Sequence, residues 1–546
     1  MKPGERALAI ALCLGCAATA TPGPSAPPPS AEASTQPHAP RRKSPAAGSY
    51  FAPGPAAAHS GLAARIEEMV TGAAARLGRP RPESDVRLDE AAHDLAAWLP
   101  DNGTPQELLQ FALQRHGVVE PPARFLVTAW LNDLDQVVLD DIASRLPGVL
   151  SGGKYNRLGV GFSKRAGATR IVLALGETYL RLDPIPRALP AGAHITLRGR
   201  VLAPYRSPEV LVTTPAGTVE RPALIRDGPS FRAVMSCRAR EGRYQVEVMG
   251  EDAYGSQILA NFPLYCGEPP PDAPPAQAVE EALVTSPETA EKRCFELLSA
   301  DRARAGLPPL VWDDALAEVA RGHSHDMEQH DFVGHVSPRT GGAVDRMRRA
   351  HLAAPVVLEN VARANGPEES EQGLMDSPGH RANILSREVT HVGIGVALGR
   401  ESAGSRELFV TQLFVRRAAG VGLTAGQAAD DVLTVINGRR RGAHLPPLAR
   451  DGALDRAAQE FSRAVLAGRA GRDQGQQATR RAVELTGTRY RQVATLFTIL
   501  PEPSRLPETQ LIESRALQAV GIGVAVGTSP DMGEGALFVT LVLAGS

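Results

Sequence analysis

Two hydrophobic rhythms divide this chain. Between residues 183 and 266, ITLRGRV, EVLVTT, SFRAVMS and RYQVEV place apolar side chains on alternate positions, and RSPE, PAG, RDGPS and REG supply the turns. Alternation of period two, broken at regular turns, predicts a small antiparallel β-sandwich, with an immunoglobulin-like arrangement as the default. After the Pro-rich GEPPPDAPPAQA, helical spacing takes over. CFELLSADRARAGLPPLVWDDALAEVARGHSHDMEQHDF predicts a helix to Ala305, a Gly-Leu-Pro-Pro turn, and a second helix opened by Asp313 as its N-cap. A loop-rich middle gives way to HVGIGVALG and ELFVTQLFV, the two strands of a hairpin. Residues 288–416 are therefore expected to wrap helices around a central antiparallel sheet.

The same plan returns. VINGRRRGAHLPPLARDGALDRAAQEFSRAV parallels LLSADRARAGLPPLVWDDALAEVARGHSHDM, and AVGIGVAVG with GALFVTLVL parallels the earlier hairpin. Leu307 and Leu445 lie 138 positions apart but Gly393 and Gly521 only 128, so the second copy lacks about ten residues between its helices and its strands. A fainter echo lies at 61–182, where LDEAAHDLAAWL resembles the second helix and NRLGVGF with TRIVLAL resembles the hairpin. Three related α/β units are expected, with the sandwich between the first and the second.

Length and charge add bounds. The chain has 546 residues, enough for several cores. Lys and Arg total 59 against 60 Asp and Glu, for a formal net charge of −1, so no global field draws it to nucleic acid or an anionic membrane. The opening MKPGERALAIALCLGCAATA has a basic start, a short apolar run and small residues around Cys16, which reads as an export signal over 1–20. The run falls well short of the ~20 residues of a spanning helix. LCLGC resembles a bacterial lipoprotein signal, which implies a lipid anchor on Cys16; the alternative is cleavage near Ala18 to Ala20 without acylation. Residues 21–58, rich in Pro, Ala and Ser, are expected to form a disordered tether. Cys237 and Cys266 flank several strand-like runs and are candidates for a disulfide in an oxidising compartment, while Cys294 is expected as a buried helix thiol.

GLPPLVWDDAL, HSHDM, GHVSP, LENVA, SPGHRANIL and VGIGVAL, in that order, make residues 288–416 resemble the bacterial branch of the CAP superfamily, named for cysteine-rich secretory proteins, venom antigens and pathogenesis-related proteins. The resemblance implies an α+β fold built of α-β-α sandwich units. One unit is intact at 288–416, a degenerate copy spans 421–546, and a further degenerate unit spans 59–182. The sandwich at 183–266 and the linker at 267–287 lie outside it. It also implies a cleft that gathers His335, Glu359 and His380. The family's second glutamate has no clear counterpart, since Ser377 falls at its place and Asp376 is the nearest carboxylate. Leu358 and Leu374 stand where the family has Gly and Trp, which predicts a narrower, less polar cleft.

Two imidazoles and a carboxylate could ligate a divalent metal such as Zn²⁺, with a position left for water. The competing reading is that His335 and His380 pin loops by hydrogen bonds, with Glu359 as acceptor. His323, Ser324 and Met327 are expected to pack on one helix face with a buried hydrogen bond, and His325 and His330 to face solvent. No nucleophile elbow, HExxH helix, phosphate loop or basic aromatic stripe occurs, and Ser337 reads first as a turn residue. No catalytic residue is assigned. The expected function is binding of an envelope lipid, glycan or protein at the bacterial cell envelope, with membrane contact through the anchor and no nucleic acid. A metal-dependent hydrolase and a purely structural envelope protein are the alternatives, and a cleft filled by side chains would favour the last.

Overall fold

The computed structural model describes residues 48–51, 59–100, 106–120, 124–131, 135–151, 153–165, 168–238, 240–274, 284, 286–402, 405–418, 420 and 423–545. The signal segment, Cys16, most of the expected tether and about half of the expected linker lie outside the described residues. Among the described residues no helix is long and apolar enough to cross a membrane.

Three four-stranded sheets share one order. In each, a two-residue strand pairs in parallel with the first strand of a hairpin, and the hairpin's second strand pairs with an antiparallel edge strand. In the middle unit these are Val311–Trp312, His391–Ser402, Ser405–Arg416 and Val356–Ala364. Period-two alternation along the hairpin sends Val392, Ile394 and Val396 to one face, against Ala290, Cys294 and Leu298 of helix Pro287–Arg304. Gly393 and Gly395 face the other way, against helix Asp314–His330, which Asp313 caps. A β-carbon on either glycine would overlap the helix backbone at Leu316–Ala317 or Ala320–Arg321. The VGIGV motif is thus a packing device, in which two missing side chains let the helix lie directly on the sheet. Gly521 and Gly523 meet Leu454 and Ala458 in the same way, and Gly159 and Gly161 meet Leu88 and Ala92.

The sandwich packs a five-stranded sheet, whose main strands are Arg206–Thr213, Gly242–Asp252 and Gly255–Cys266, on a four-stranded sheet built on His194–Val201 and Ser230–Ser236. Cys237 and Cys266 form a disulfide, with Cα atoms 5.6 Å apart, and Cys294 is buried in the middle unit. Two boundaries differ from the expectation. Leu180–Leu182 already pairs with His194–Val201, so the sandwich begins before residue 183. Residues 48–51, expected within the tether, join it as well. Ser49–Tyr50 pairs with Ile185–Pro186, and the Tyr50 hydroxyl donates to the Pro263 carbonyl at 2.8 Å from inside the core. Tyr50, with its hydroxyl satisfied, and the adjoining Phe51 hold a stretch whose composition alone argues against folding.

Candidate functional site

Three segments of the middle unit meet in one cleft. His335 comes from the loop after helix Asp314–His330, Glu359 from the edge strand Val356–Ala364, and His380 from the short helix Pro378–Ile384. His335 Nδ1 donates to Glu359 Oε1 at 3.1 Å, and the rings of His335 and His380 lie 6.3 Å apart. The other oxygen of Glu359 accepts from the guanidinium of Arg346, on helix Ala343–Arg349. Burial works to raise the Glu359 carboxyl, but the His335 hydrogen bond and the Arg346 charge outweigh it and hold the group below its ordinary value. Burial, with His335 alongside, pushes the His380 imidazole down to about 3, so it is neutral at physiological pH. Among the described residues neither ring nitrogen of His380 has a hydrogen-bond partner, and a quarter of the His335 side chain remains exposed.

A polar network fixes the wall behind these rings. Asn383, from the SPGHRAN stretch, donates to Asn360 Oδ1 at 2.9 Å and to the Glu359 carbonyl at 3.1 Å. Asn360 in turn donates to the His380 carbonyl and to Gln412, which donates to Glu371. Burial, then the nearby Asp301, pushes Glu371 up to about 8. His323 is buried and donates from Nε2 to the Gly334 carbonyl at 2.9 Å, while burial lowers its pKa. Ser324 donates to the Gly395 carbonyl, and Met327 packs beside Phe409. Ser337 donates to Asp326 at 2.5 Å and accepts from the backbone of Arg339 and Thr340, so its hydroxyl is committed to a turn. His325 is exposed, and His330 is held by Asp326.

The sandwich closes the cleft from outside. Gly255 sits against the β-carbon of His335, and the Tyr254 carbonyl accepts from the Val336 backbone at 3.0 Å. Glu247, fully buried on the outer face of the sandwich, accepts from Ser377 Oγ at 2.5 Å and from the Gly379 backbone at 3.0 Å. Burial, reinforced by Glu209, raises Glu247 to about 7 against those two hydrogen bonds. Asn261 donates to the Asp376 carbonyl and Arg381 to the Gly217 carbonyl. A carboxylate therefore arrives at Ser377, where the family's second glutamate would fall, but from another domain.

Two sequence expectations change here, and two residues join the site. Leu358 and Leu374 do not narrow the cleft, because both pack in the core with Leu298 and Phe414. The His335, Glu359 and His380 set fits a divalent metal poorly. Both Glu359 oxygens are engaged, one by a fixed guanidinium cation that would repel a second cation, and no group of three His, Cys, Asp or Glu is arranged for a metal among the described residues. Arg346 and Glu247 were not singled out by sequence. Arg346 is one of several arginines in DRMRRA, and Glu247 occupies a polar alternate position in RYQVEV, a pattern that ordinarily faces water.

Residues 295–414 match the profile of the cysteine-rich secretory protein family, CAP. The uncharacterized membrane protein YlbC of Bacillus subtilis (strain 168) is 36% identical over 131 residues, which cover 24% of this chain and 35% of that protein. The uncharacterized protein YkwD of the same organism is 39% identical over 106 residues, 19% of this chain and 41% of that protein. The chain thus spans well under half the length of these curated relatives. Among solved structures, an extracellular protein containing an SCP domain from Bacillus anthracis str. Ames matches at 20% identity and a TM-score of 0.22, covering 41% of this chain and 78% of that one.

Proposed function

Residues 295–414 of this chain form a CAP-superfamily domain, and from that premise we propose that the protein is an exported, lipid-anchored cell-envelope binding module whose ligand enters beside His335. The observation that carries this reading is His380. Its imidazole is half-buried and neutral, and its ring nitrogens find no partner among the described residues, next to a second ring that is also partly exposed. A half-buried imidazole with both nitrogens uncommitted offers one donor and one acceptor to whatever enters the cleft. A hydroxyl or carbonyl of an envelope glycan or lipid headgroup would satisfy it. Hydrolysis at these residues is disfavoured, since the Ser337 hydroxyl is bonded to Asp326 and both Glu359 oxygens are engaged by His335 and Arg346.

The test is mass spectrometry of extracts from the protein purified out of its own envelope, and titration with a muropeptide digest. The intact protein should carry or bind a compound that His335→Ala with His380→Ala loses while melting cooperatively. Equal retention by both forms would overturn the reading. A purely structural role has one observation in its favour, the Glu247 contact that locks the sandwich to Ser377. Absence of any bound compound from both forms would favour it.

A further inference from the structure

The four-stranded sheet of the sandwich turns one face to the middle of the domain and the other to solvent. Along His194–Val201 the outward positions are His194, Thr196, Arg198 and Arg200, and along Ser230–Ser236 they include Arg232 and Val234. Register places Arg232 directly opposite Arg198, and Arg181 directly opposite Arg200. Four exposed guanidinium groups therefore share one flat face, spaced by the ~4.8 Å between strands and the two-residue repeat along them. None of the four forms an ion pair or side-chain hydrogen bond among the described residues, although Asp183 and Asp227 stand exposed at the margins. Like charges directly opposite each other destabilise a sheet, so folding alone does not account for the pairs.

Two further features choose the partner. Ile225 and Val234 are the most exposed large apolar side chains of the sandwich, at 56% and 58%, and Ile225 lies directly opposite Arg232. Guanidinium groups mixed with protruding aliphatics on a flat face suit a plane of anionic headgroups over an apolar layer. A single-stranded nucleic acid or acidic polymer is instead gripped by a groove with aromatic platforms, and no aromatic is exposed on this face. The chain also enters the described fold at this domain, through Ser49–Tyr50 paired with Ile185–Pro186, so a tether from Cys16 would reach the sandwich before the other domains.

We propose that Arg181, Arg198, Arg200 and Arg232 form a docking face for an anionic phospholipid surface, which orients the sandwich on the membrane independently of the CAP cleft. The test uses the full chain with Cys16→Ser, so that no acyl chain contributes. It should sediment with vesicles of phosphatidylcholine mixed with phosphatidylglycerol, but not with phosphatidylcholine alone, and salt should release it. Changing all four arginines to Gln should lower partitioning several-hundred-fold, at roughly five-fold per arginine, and R198Q with R232Q roughly twenty-five-fold. Melting temperature should hold or rise, since like-charge pairs are removed. Vesicle binding unchanged in the quadruple variant would overturn the proposal. So would a Cys16→Ser chain with all four arginines intact that ignores anionic vesicles, including one that instead binds heparin or single-stranded DNA through these arginines.

Discussion

In the middle unit Arg302 is buried and donates to the carbonyls of Pro308, Ile384 and Ser386; in the C-terminal unit Arg440 donates to those of Pro446, Ile512 and Ser514. Ser324 bonds the Gly395 carbonyl and Thr411, as Ser462 bonds the Gly523 carbonyl and Thr540. At these two anchors the frames agree, and the units part company between the edge strand and the hairpin. Residues 365–390 carry helices Pro367–Asp376 and Pro378–Ile384, whereas 501–516 hold a single 3-10 turn, Pro503–Arg505. The missing ten residues are the wall that bears His380. At the edge-strand position of Glu359 the copy has Thr495, bonded to Thr479 across helix Gln476–Thr486. A sheet, its glycines and a buried arginine keep a fold; a cleft needs a further layer, whose polar groups cost stability unless they are satisfied or used.

The sharpest way to break this comparison is at the shared frame. Gly395→Val and Gly523→Val each drive a branched side chain into helix backbone, and each should cost about 5 kcal/mol or more and abolish cooperative unfolding of its unit. If either is tolerated, measured by urea unfolding with limited proteolysis, the frames are not equivalent. Next comes the wall. Arg346→Met strands the buried Glu359 carboxylate and should destabilise by about 3–5 kcal/mol, while Thr495→Ala at the matching position of the copy should cost about 1 kcal/mol or less. Equal losses in thermal melts would deny that the two walls differ.

A smaller effect separates the units by pH. Glu247 is raised from 4.5 to about 7 in the folded chain. Below pH 4.5 it is protonated folded or unfolded. Between 4.5 and about 7 the unfolded chain ionises it first, so stability falls as pH rises, and the loss is complete above about 7. Glu247→Gln removes this contribution and should flatten the fall by on the order of 2 kcal/mol between pH 5 and pH 8 in denaturant midpoints. Glu371, raised to about 8, contributes a fall of the same sign. An unaltered profile would place Glu247 outside the closed contact.

The α-β-α plan was legible because its signals are local. Val392, Ile394 and Val396 alternate with Gly393 and Gly395, Asp313 precedes its helix, and the offset between Leu445 and Gly521 betrayed the shortened copy. His335 and Glu359 were legible through motif spacing, and the structure brings them into contact. Partnership across domains was not legible. Glu247 looks like a solvent-facing strand residue until the middle unit covers it, and nothing within RYQVEV encodes what packs on its polar face. Leu358 and Leu374 misled for a related reason, since a change of residue at a motif position does not say which way the side chain turns.

The closure of the cleft is most directly tested at His380, by following its ring signal through a pH titration of histidine-labelled protein. The account predicts an imidazole that stays neutral to about pH 3 in the wild type and titrates nearer its ordinary value once Glu247→Ala loosens the sandwich. An ordinary titration near pH 6.5 in the wild type would contradict it.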